Sequence, residues 1–264
     1  NNSNLSPKIP FHPIDITNDY QIIKKINKIS PDIVVLTAGM TNVDQCEIEK
    51  NLATKINLDG PKNIVKVCEK LGSKLIFMST DFVFDGTKKK GNYSEKDHPN
   101  PLNYYAKTKY LAELAIINSN ISYLICRTAV LYGWNETKLN FITWVLNKLK
   151  EKEKITIVKD QINSPTYIIN LVEILFKLME KDAEGIFHTA GDDILSRYEM
   201  GLLCAEVFEY NKDLIIPIDS LKQIAKRPEN VGLDISKLKN FIGSELKIYD
   251  LAEGLKHMKN NKIS

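Results

Sequence analysis

The sequence lacks the features that mark secreted, membrane-spanning and nucleic-acid-binding proteins. Four widely spaced cysteines occur in 264 residues, without a Cys-x-x-Cys pair, so we expect reduced core thiols rather than a disulfide framework or a zinc site. No apolar run approaches the ~20 residues that a membrane-spanning helix needs. The 36 basic and 33 acidic residues nearly balance, whereas nucleic-acid binding usually requires a clustered basic surface. We therefore expect a globular cytoplasmic protein with no membrane or nucleic-acid partner.

The histidines and the N-terminus add no specialised feature. No spacing among the four histidines fits a metal site, and we expect ordinary surface or core positions for them. Residues 1–13 are polar and interrupted by three prolines, which is not the pattern of a signal peptide.

Apolar runs alternate with amphipathic stretches up to about residue 191. The runs predict strands at 33–37, 75–78, 122–126, 155–158 and 186–188, with a strand-like fragment at 14–17. Helices are predicted at 19–26, 43–54, 61–71, 104–117, 139–149 and 167–179. The continuous apolar run 33–37 is typical of a strand covered on both faces. Strands and helices in this alternation indicate an α/β protein with a doubly wound parallel sheet. Its ligands are expected beyond the carboxyl ends of the strands.

Three side chains near that edge can handle a proton. Thr80 follows the buried strand 75–78, while Tyr105 and Lys109 lie one helical turn apart and so face the same way. A tyrosine can protonate the oxygen of a carbonyl that receives a hydride, provided that its pKa falls from about 10 towards neutrality. We expect the Lys109 ammonium to lower that pKa. Tyr104 cannot replace Tyr105, because the residue four positions after it is Thr108.

Several segments resemble one family. Residues 79–86 read Ser-Thr-Asp-Phe-Val-Phe-Asp-Gly and resemble the Ser-Thr-Asp-Tyr-Val-Phe-Asp-Gly signature of extended short-chain dehydrogenases/reductases, most of all the dTDP-4-dehydrorhamnose reductases. Further similar segments are 101–103, 127–128, 160–166 (Asp-Gln-Ile-Asn-Ser-Pro-Thr), 227–228 and 233–234. The similarity spans nearly the whole chain and implies reduction of a nucleotide-linked 4-keto-6-deoxy sugar by NADPH or NADH.

The resemblance also implies a role for each site residue. It makes Thr80, Tyr105 and Lys109 the catalytic triad, with Tyr105 as the acid. The implied cofactor-binding residues are Asp15, Ile16, Thr37, Ala38, Gly39, Tyr105, Lys109, Thr128 and Ala129. The implied substrate-binding residues are Val43, Thr80, Asp81, Phe82 and Tyr105. It further implies a dinucleotide-binding domain (1–131 and 160–191), a smaller substrate-binding region (132–159 and 192–264), and a homodimer as one option for assembly.

Two departures from the family pattern are visible. The family opens with a strand and a Gly-x-x-Gly-x-x-Gly loop that meets the cofactor pyrophosphate, and none of the 12 glycines forms that loop. We expect the first strand–helix–strand unit, about 30 residues, to be missing from a truncated chain, with weaker cofactor binding and an unprotected sheet edge. The second departure is Phe82 in place of the common tyrosine.

Two alternatives stay open from sequence alone. The regulatory β subunit of methionine adenosyltransferase is similar, including the segment 160–166, and such a protein would bind a dinucleotide without turnover. An epimerase or dehydratase of the same superfamily is disfavoured, because dehydratases carry an acidic pair after the threonine and Asp81 is followed by Phe82.

Overall fold

The computed structural model of the chain describes residues 10–88, 92–135 and 137–261. Its helices are α1 (Asp19–Ile29), α2 (Val43–Ile48), α3 (Lys50–Thr54), α4 (Gly60–Leu71), α5 (Tyr104–Ile117), α6 (Phe141–Lys150), α7 (Ile168–Glu180), α8 (Arg197–Val207), α9 (Ser236–Ile242) and α10 (Leu251–Asn260). Its strands are β1 (Ile33–Leu36), β2 (Lys74–Thr80), β3 (Tyr123–Thr128), β4 (Leu131–Tyr132), β5 (Ile155–Val158), β6 (Ile162–Asn163), β7 (Thr166–Tyr167), β8 (Gly185–His188), β9 (Leu195–Ser196) and β10 (Ile215–Ile218). Within these ranges no helix is long and apolar enough to cross a bilayer.

Four parallel strands form the central sheet in the order β1-β2-β3-β8. The predicted parallel sheet is thus confirmed. Because all four strands point the same way, their carboxyl ends share one edge. A threonine stands at or just past the end of each strand there: Thr37, Thr80, Thr128 and Thr189. Thr80 and Thr128 are direct neighbours in the β2–β3 register.

Alternate side chains of the inner strands enter two separate cores. Leu75 and Phe77 of β2 pack with residues of α1, α4 and α5, while Ile76 between them packs with residues of α7 and α9. This alternation follows from the two-residue period of a strand. Both faces of β2 and β3 are therefore covered by helices, as the doubly wound prediction requires.

Strand β1 corrects one prediction. The run 33–37 was expected to be covered on both faces, but Ile33 and Val35 are 38% and 43% exposed, whereas Val34 and Leu36 pack into the core shared with α1 and α4. In the described residues β1 pairs with β2 alone and no helix covers its second face. The prediction of a strand-like fragment at 14–17 is also wrong. Asp15 accepts hydrogen bonds from the amide and hydroxyl of Thr17, which makes a tight turn there.

The single helix predicted at 43–54 is two helices followed by a wider turn. The backbone leaves α-helical geometry at Glu49 (φ −104°, ψ 58°), which separates α2 from α3. Residues Lys55–Asp59 then form a π-helix before α4 begins at Gly60. The hydrogen bonds of a π-helix span one more residue than those of an α-helix, so its side chains point in different directions from those of a continued α-helix. Here Asn57 is buried and faces the interior.

Segments that follow β3 build a third core, apart from the two that flank the central sheet. Strand β5 was expected within the βαβ alternation, but it pairs in parallel with β10 outside the central sheet. Helices α6, α8 and α10 pack together there, through Val145, Leu146, Met200, Leu251 and Leu255 among others. The four cysteines are free and buried. The division into 1–131 with 160–191 and 132–159 with 192–264 stays a prediction.

Candidate active site

A cavity of about 700 Å³ opens at the carboxyl ends of the central strands. The sheet edge and the start of α5 form one wall, and residues 130–135 and 138–141 with α7 form the opposite wall. It is lined by these residues singled out from the sequence: Thr37, Ala38, Gly39, Thr80, Asp81, Tyr105, Lys109, Thr128 and Ala129. At the rim, the Lys138 ammonium donates to the Thr41 hydroxyl across the two walls (3.4 Å).

The ends of β2 and α5 bring the proposed triad to this cavity. Strand β2 ends at Thr80, whose hydroxyl donates to Asp81 Oδ1 (3.1 Å) and accepts from the Phe82 amide (3.2 Å). Helix α5 begins because the Asn103 side chain caps it, accepting from the Ala106 amide (2.9 Å). The cap fixes the first turn of α5, so that Tyr105 enters the cavity beside Thr80.

Lys109 is held tightly beneath the cavity. The residue is 6% exposed, its ammonium donates to the Met78 carbonyl oxygen (2.7 Å), and it lies over the Phe77 ring (3.8 Å to the centroid). Burial lowers the pKa of Lys109 to about 7, against the opposing field of Glu113. A small change in its surroundings therefore decides whether this lysine is charged near neutrality.

Tyr105 differs from expectation in its acidity. Burial raises the pKa of its phenol; the fields of Asp81 and Cys46 add to the rise, and a hydrogen bond from Thr80 lowers it. The predicted fall caused by Lys109 is not found, because the ammonium is directed at the Met78 carbonyl oxygen and is itself only marginally charged. In this state Tyr105 is a protonated phenol, ready to donate rather than ionised.

Asp81 brings a carboxyl group to the same cavity. It is buried, and burial raises its pKa to about 6, although hydrogen bonds from Asn163 and Thr80 and the charge of Arg197 act in the other direction. Asn163 Nδ2 donates to its second oxygen at 2.8 Å. The sequence identified the segment 160–166 only as a family motif. In the structure, the side-chain amide of Asn163 in this segment orients Asp81.

Asn57 is a site residue that sequence reasoning missed. From the π-helix its Oδ1 accepts from the Met40 amide (2.8 Å), while its Nδ2 donates to the Met40 carbonyl oxygen (3.0 Å) and to the Thr108 hydroxyl (3.3 Å). A side chain at Gly39 would press against Asn57 Oδ1, 3.3 Å from the position of its Cβ. Asn57 therefore clamps the loop after β1 to α5. Asn57 stands among other polar residues, Thr54, Lys55 and Asp59, so no local signal marked it.

Four of the implied site residues lie outside the cavity lining. Asp15 borders a separate groove beside α1, and Ile16 packs into the adjoining core. Val43 begins α2 without reaching the cavity. Phe82 packs partly into the core with its ring edge-on to Tyr105, 6.5 Å between centroids. Their implied contacts with cofactor or substrate stay predictions.

The cavity fits the nicotinamide-ribose end of a dinucleotide. Thr128 Oγ1 is buried at its lining without a hydrogen-bond partner, and buried hydroxyls ordinarily have one. The exposed loop Thr37–Gly39 offers backbone groups on the same side. Lys109 adds further donors. A mainly apolar lining with a few polar groups, one of them unsatisfied, is the usual character of a cofactor site.

Comparisons with known proteins match the chain over most of its length. The model of the RmlD substrate binding domain family matches residues 5–262. A dTDP-4-dehydrorhamnose reductase from Aggregatibacter actinomycetemcomitans is 30% identical over 249 residues, covering 89% of this chain and 83% of that protein. Methionine adenosyltransferase 2 subunit beta from Bos taurus is 31% identical, covering 86% of this chain and 70% of that protein.

The fold is shared with a solved structure. The crystal structure of a dTDP-4-dehydrorhamnose reductase from Bacillus anthracis in complex with NADP is similar with a TM-score of 0.89 at 30% identity, covering 98% of this chain and 93% of that one. The Rossmann-type fold predicted from the sequence is thereby confirmed.

Proposed function

The chain belongs to the dTDP-4-dehydrorhamnose reductase family, and on this premise we propose that it is an NAD(P)H-dependent oxidoreductase that reduces the 4-keto group of a nucleotide-linked 6-deoxy sugar, as in dTDP-L-rhamnose biosynthesis. The observation that carries the proposal is the convergence of Thr80, Tyr105 and Lys109 on one cavity at the carboxyl edge of the parallel sheet. Among the described residues, no group of three or more His, Cys, Asp or Glu side chains is placed to hold a metal ion.

Cofactor binding is assigned to the sheet edge. When bound, NADPH or NADH supplies the hydride that reaches the substrate carbonyl carbon. Thr128 and Ala129 contact the nicotinamide end, Lys109 the ribose hydroxyls, and the loop Thr37–Gly39 the ribose and phosphates. Asp15 and Ile16 belong with the adenine end. The unpartnered Thr128 hydroxyl supports this assignment.

The proton comes from the chain itself. Tyr105 donates its phenol proton to the carbonyl oxygen as the hydride arrives, so the ketone gains one hydride and one proton and becomes an alcohol. Thr80 hydrogen-bonds the same oxygen and orients it. A charged Lys109 stabilises the phenolate left on Tyr105. Val43, Asp81 and Phe82 are assigned to the sugar side.

The test is turnover by the full chain. Cofactor oxidation is followed by nicotinamide absorbance, with dTDP-4-dehydrorhamnose as substrate. Tyr105→Phe should lower kcat by about 100-fold or more, since a positioned proton donor contributes roughly that much. Tyr104→Phe is the matched control, because the Tyr104 hydroxyl bonds Thr54 at 2.8 Å outside the cavity. Wild-type protein that is inert with every nucleotide-linked 4-keto sugar would rule the proposal out.

One relative favours a second candidate. The bovine methionine adenosyltransferase subunit beta is as similar in identity as the reductases, which supports a non-catalytic regulatory subunit that binds a dinucleotide. Purification from the native source discriminates the two. A stable complex with a methionine adenosyltransferase, combined with cofactor binding and no turnover, would select this candidate.

The proposal also covers partners and compartment. The small-molecule partner is a nucleotide sugar, and a homodimer is one option that size-exclusion chromatography with light scattering decides. A cytoplasmic location accords with four free, buried cysteines, because such thiols persist in reducing compartments.

A further inference from the structure

A buried ion pair lies directly behind the proposed triad. Glu113 is one helical turn beyond Lys109 on α5 and is 0% exposed, and Arg127 on β3 is 2% exposed. Arg127 Nη2 donates to Glu113 Oε2 at 2.7 Å and its Nε to Oε1 at 3.1 Å, which makes a two-point contact. Tyr105, Lys109 and Glu113 thus follow one another at four-residue spacing along a single stripe of the helix.

The pair is tied to both strand ends that carry site residues. The Ser79 hydroxyl donates to Glu113 Oε1 at 2.5 Å, and Ser79 immediately precedes Thr80. Arg127 immediately precedes Thr128 and is the register partner of Ser79. Glu113 is therefore fixed from two strands at once, and its carboxylate has a single position relative to the Lys109 side chain.

Stability alone does not account for such a pair. Charges removed from water lose hydration that their mutual attraction repays incompletely, and apolar side chains of similar volume are often as good or better in the same place. Arg127 Nη1 also lacks a hydrogen-bond partner, so the pair leaves a buried donor unsatisfied. Glu113 also lies one helical turn from the buried Lys109 and acts on its charge, which gives the carboxylate a second charged group to serve.

We propose that Glu113, held by Arg127 and Ser79, is a positioning residue that favours the ammonium form of Lys109 at the cavity wall. The inference rests on the proposed reductase function, in which that ammonium stabilises the Tyr105 phenolate. It names Glu113 and Arg127 as functional residues that contact neither substrate nor cofactor.

The charges around Lys109 make Glu113 the relevant partner. Glu113 raises the pKa of Lys109 against the opposing effect of burial. From the other elements packed on α5, Asp81 after β2 and Cys46 in α2 act on Tyr105. Arg127 from β3 is paired with Glu113 and offsets part of its charge, but Glu113 is the member of the pair that raises the pKa of Lys109. The π-helix contributes the neutral Asn57.

The first experiment measures the charge of Lys109 without using turnover. The protein is labelled with ¹⁵N at lysine Nζ and titrated by NMR, and the Lys109 signal is assigned by its loss in Lys109→Arg. In Glu113→Gln the titration midpoint should fall by about one pH unit or more, the usual effect of losing an adjacent opposite charge. Glu206→Gln, which breaks the surface pair with Lys212, is the matched control and should leave the midpoint unchanged.

A double variant guards against a folding failure. Glu113→Gln alone leaves Arg127 buried without its counter-charge, which destabilises strongly. Glu113→Gln with Arg127→Met removes both charges at similar volume, should fold, and should also lower the Lys109 midpoint. An unchanged midpoint in either folded variant overturns the inference. If the double variant does not fold, the ion pair serves stability, and the inference is overturned in that case as well.

A second experiment separates this inference from the proposed function. In active protein, the Glu113 variants should shift the alkaline limb of the kcat/KM profile to lower pH by the same amount as the Lys109 titration midpoint. A shifted midpoint in a protein that reduces no sugar nucleotide refutes the reductase proposal and leaves the charge role of Glu113 standing. If the Glu113 variants turn over substrate but shift neither the Lys109 midpoint nor the alkaline limb, the positioning role is refuted and the reductase proposal stands.

Discussion

The Lys109 ammonium donates its hydrogen bond to the Met78 carbonyl oxygen, one strand residue before Ser79, and not to Tyr105. Lys109 thereby reaches from the helix across to the strand that delivers Thr80. Met78 and Lys109 both line the cavity, so this bond anchors the lysine at the cavity wall. Its effect on Tyr105 is consequently one of charge, which depends on its protonation state.

We expect kcat/KM to fall as pH rises through about 7. Burial lowers the pKa of Lys109 to about 7, so the ammonium is present below that pH and lost above it. Because kcat/KM reports ionisations of the free enzyme, its alkaline limb should follow this group. Lys109→Met should remove the alkaline limb together with most of the activity. Lys107 is an exposed lysine on the same helix, and Lys107→Met should retain the limb and the activity. A profile flat to about pH 9 would contradict the assignment.

The KM for the sugar nucleotide should rise as pH falls through about 6. Burial raises the pKa of Asp81 to about 6, so its carboxylate accepts hydrogen bonds from sugar hydroxyls above that pH and is protonated below it. Asp81→Asn should raise KM at neutral pH and remove this pH dependence. Asp213→Asn, on the surface, serves as control. An Asp81→Asn enzyme that retains the wild-type dependence of KM on pH would assign the effect to another group.

Asn57→Ala should lower both stability and cofactor affinity. The substitution leaves the Met40 amide without its partner and the Met40 carbonyl oxygen with only the weak Cys46 thiol donor. An unsatisfied buried polar group costs about 1–3 kcal/mol of unfolding free energy. Chemical denaturation measures the stability and fluorescence titration the binding of NADPH. Asn147→Ala, at an exposed position of α6, should change the unfolding free energy by less than about 0.5 kcal/mol. Undiminished NADPH affinity in Asn57→Ala would show that the loop holds its position without the clamp.

Acid should destabilise the fold through His188. This residue is fully buried, and burial with the charge of Arg127 lowers its pKa to about 3. The unfolded state therefore binds the proton first as pH falls below about 6.5, and stability drops on the order of 3 kcal/mol by about pH 4.

The variants His188→Asn and His98→Asn test this loss. Asparagine keeps an amide donor for the Asp234 carbonyl oxygen, which lies 3.1 Å from His188 Nδ1, but it does not titrate. His188→Asn should flatten the dependence of unfolding free energy on pH in this range. His98 is exposed, and its replacement should leave the slope as in the wild type. Equal slopes in all three proteins would exclude His188 as the source.

Local sequence patterns correctly predicted those helices and strands that a single strong pattern specifies. The apolar run of β2 and the four-residue spacing of Tyr105 and Lys109 located the two elements that carry the triad. Strand β1 could not be judged in this way, because an apolar run shows that a strand tends to be buried but not whether a helix covers it. The break at Glu49 and the π-helix depend on how α2–α4 pack on α5, which no local spacing reveals.

The electrostatics of the site were beyond sequence reasoning. Spacing placed Tyr105 and Lys109 on one face of α5, but the acceptor of the Lys109 hydrogen bond is a carbonyl group of a strand distant in sequence. Glu113 and Arg127 looked like ordinary charged residues until the fold enclosed them. Family motifs located Asn163, and the structure supplied its partner Asp81.

The Asn57 clamp has a mechanical consequence for access to the cavity. Because one amide joins the Met40 loop to the helix that bears Tyr105, these two parts form a single rigid body and cannot separate to admit a ligand. At the rim, the Lys138 ammonium bonds the Thr41 hydroxyl at 3.4 Å, an exposed contact between the two walls. A ligand that passes between the walls therefore breaks this long, solvent-exposed hydrogen bond before it disturbs the buried hydrogen bonds of Asn57.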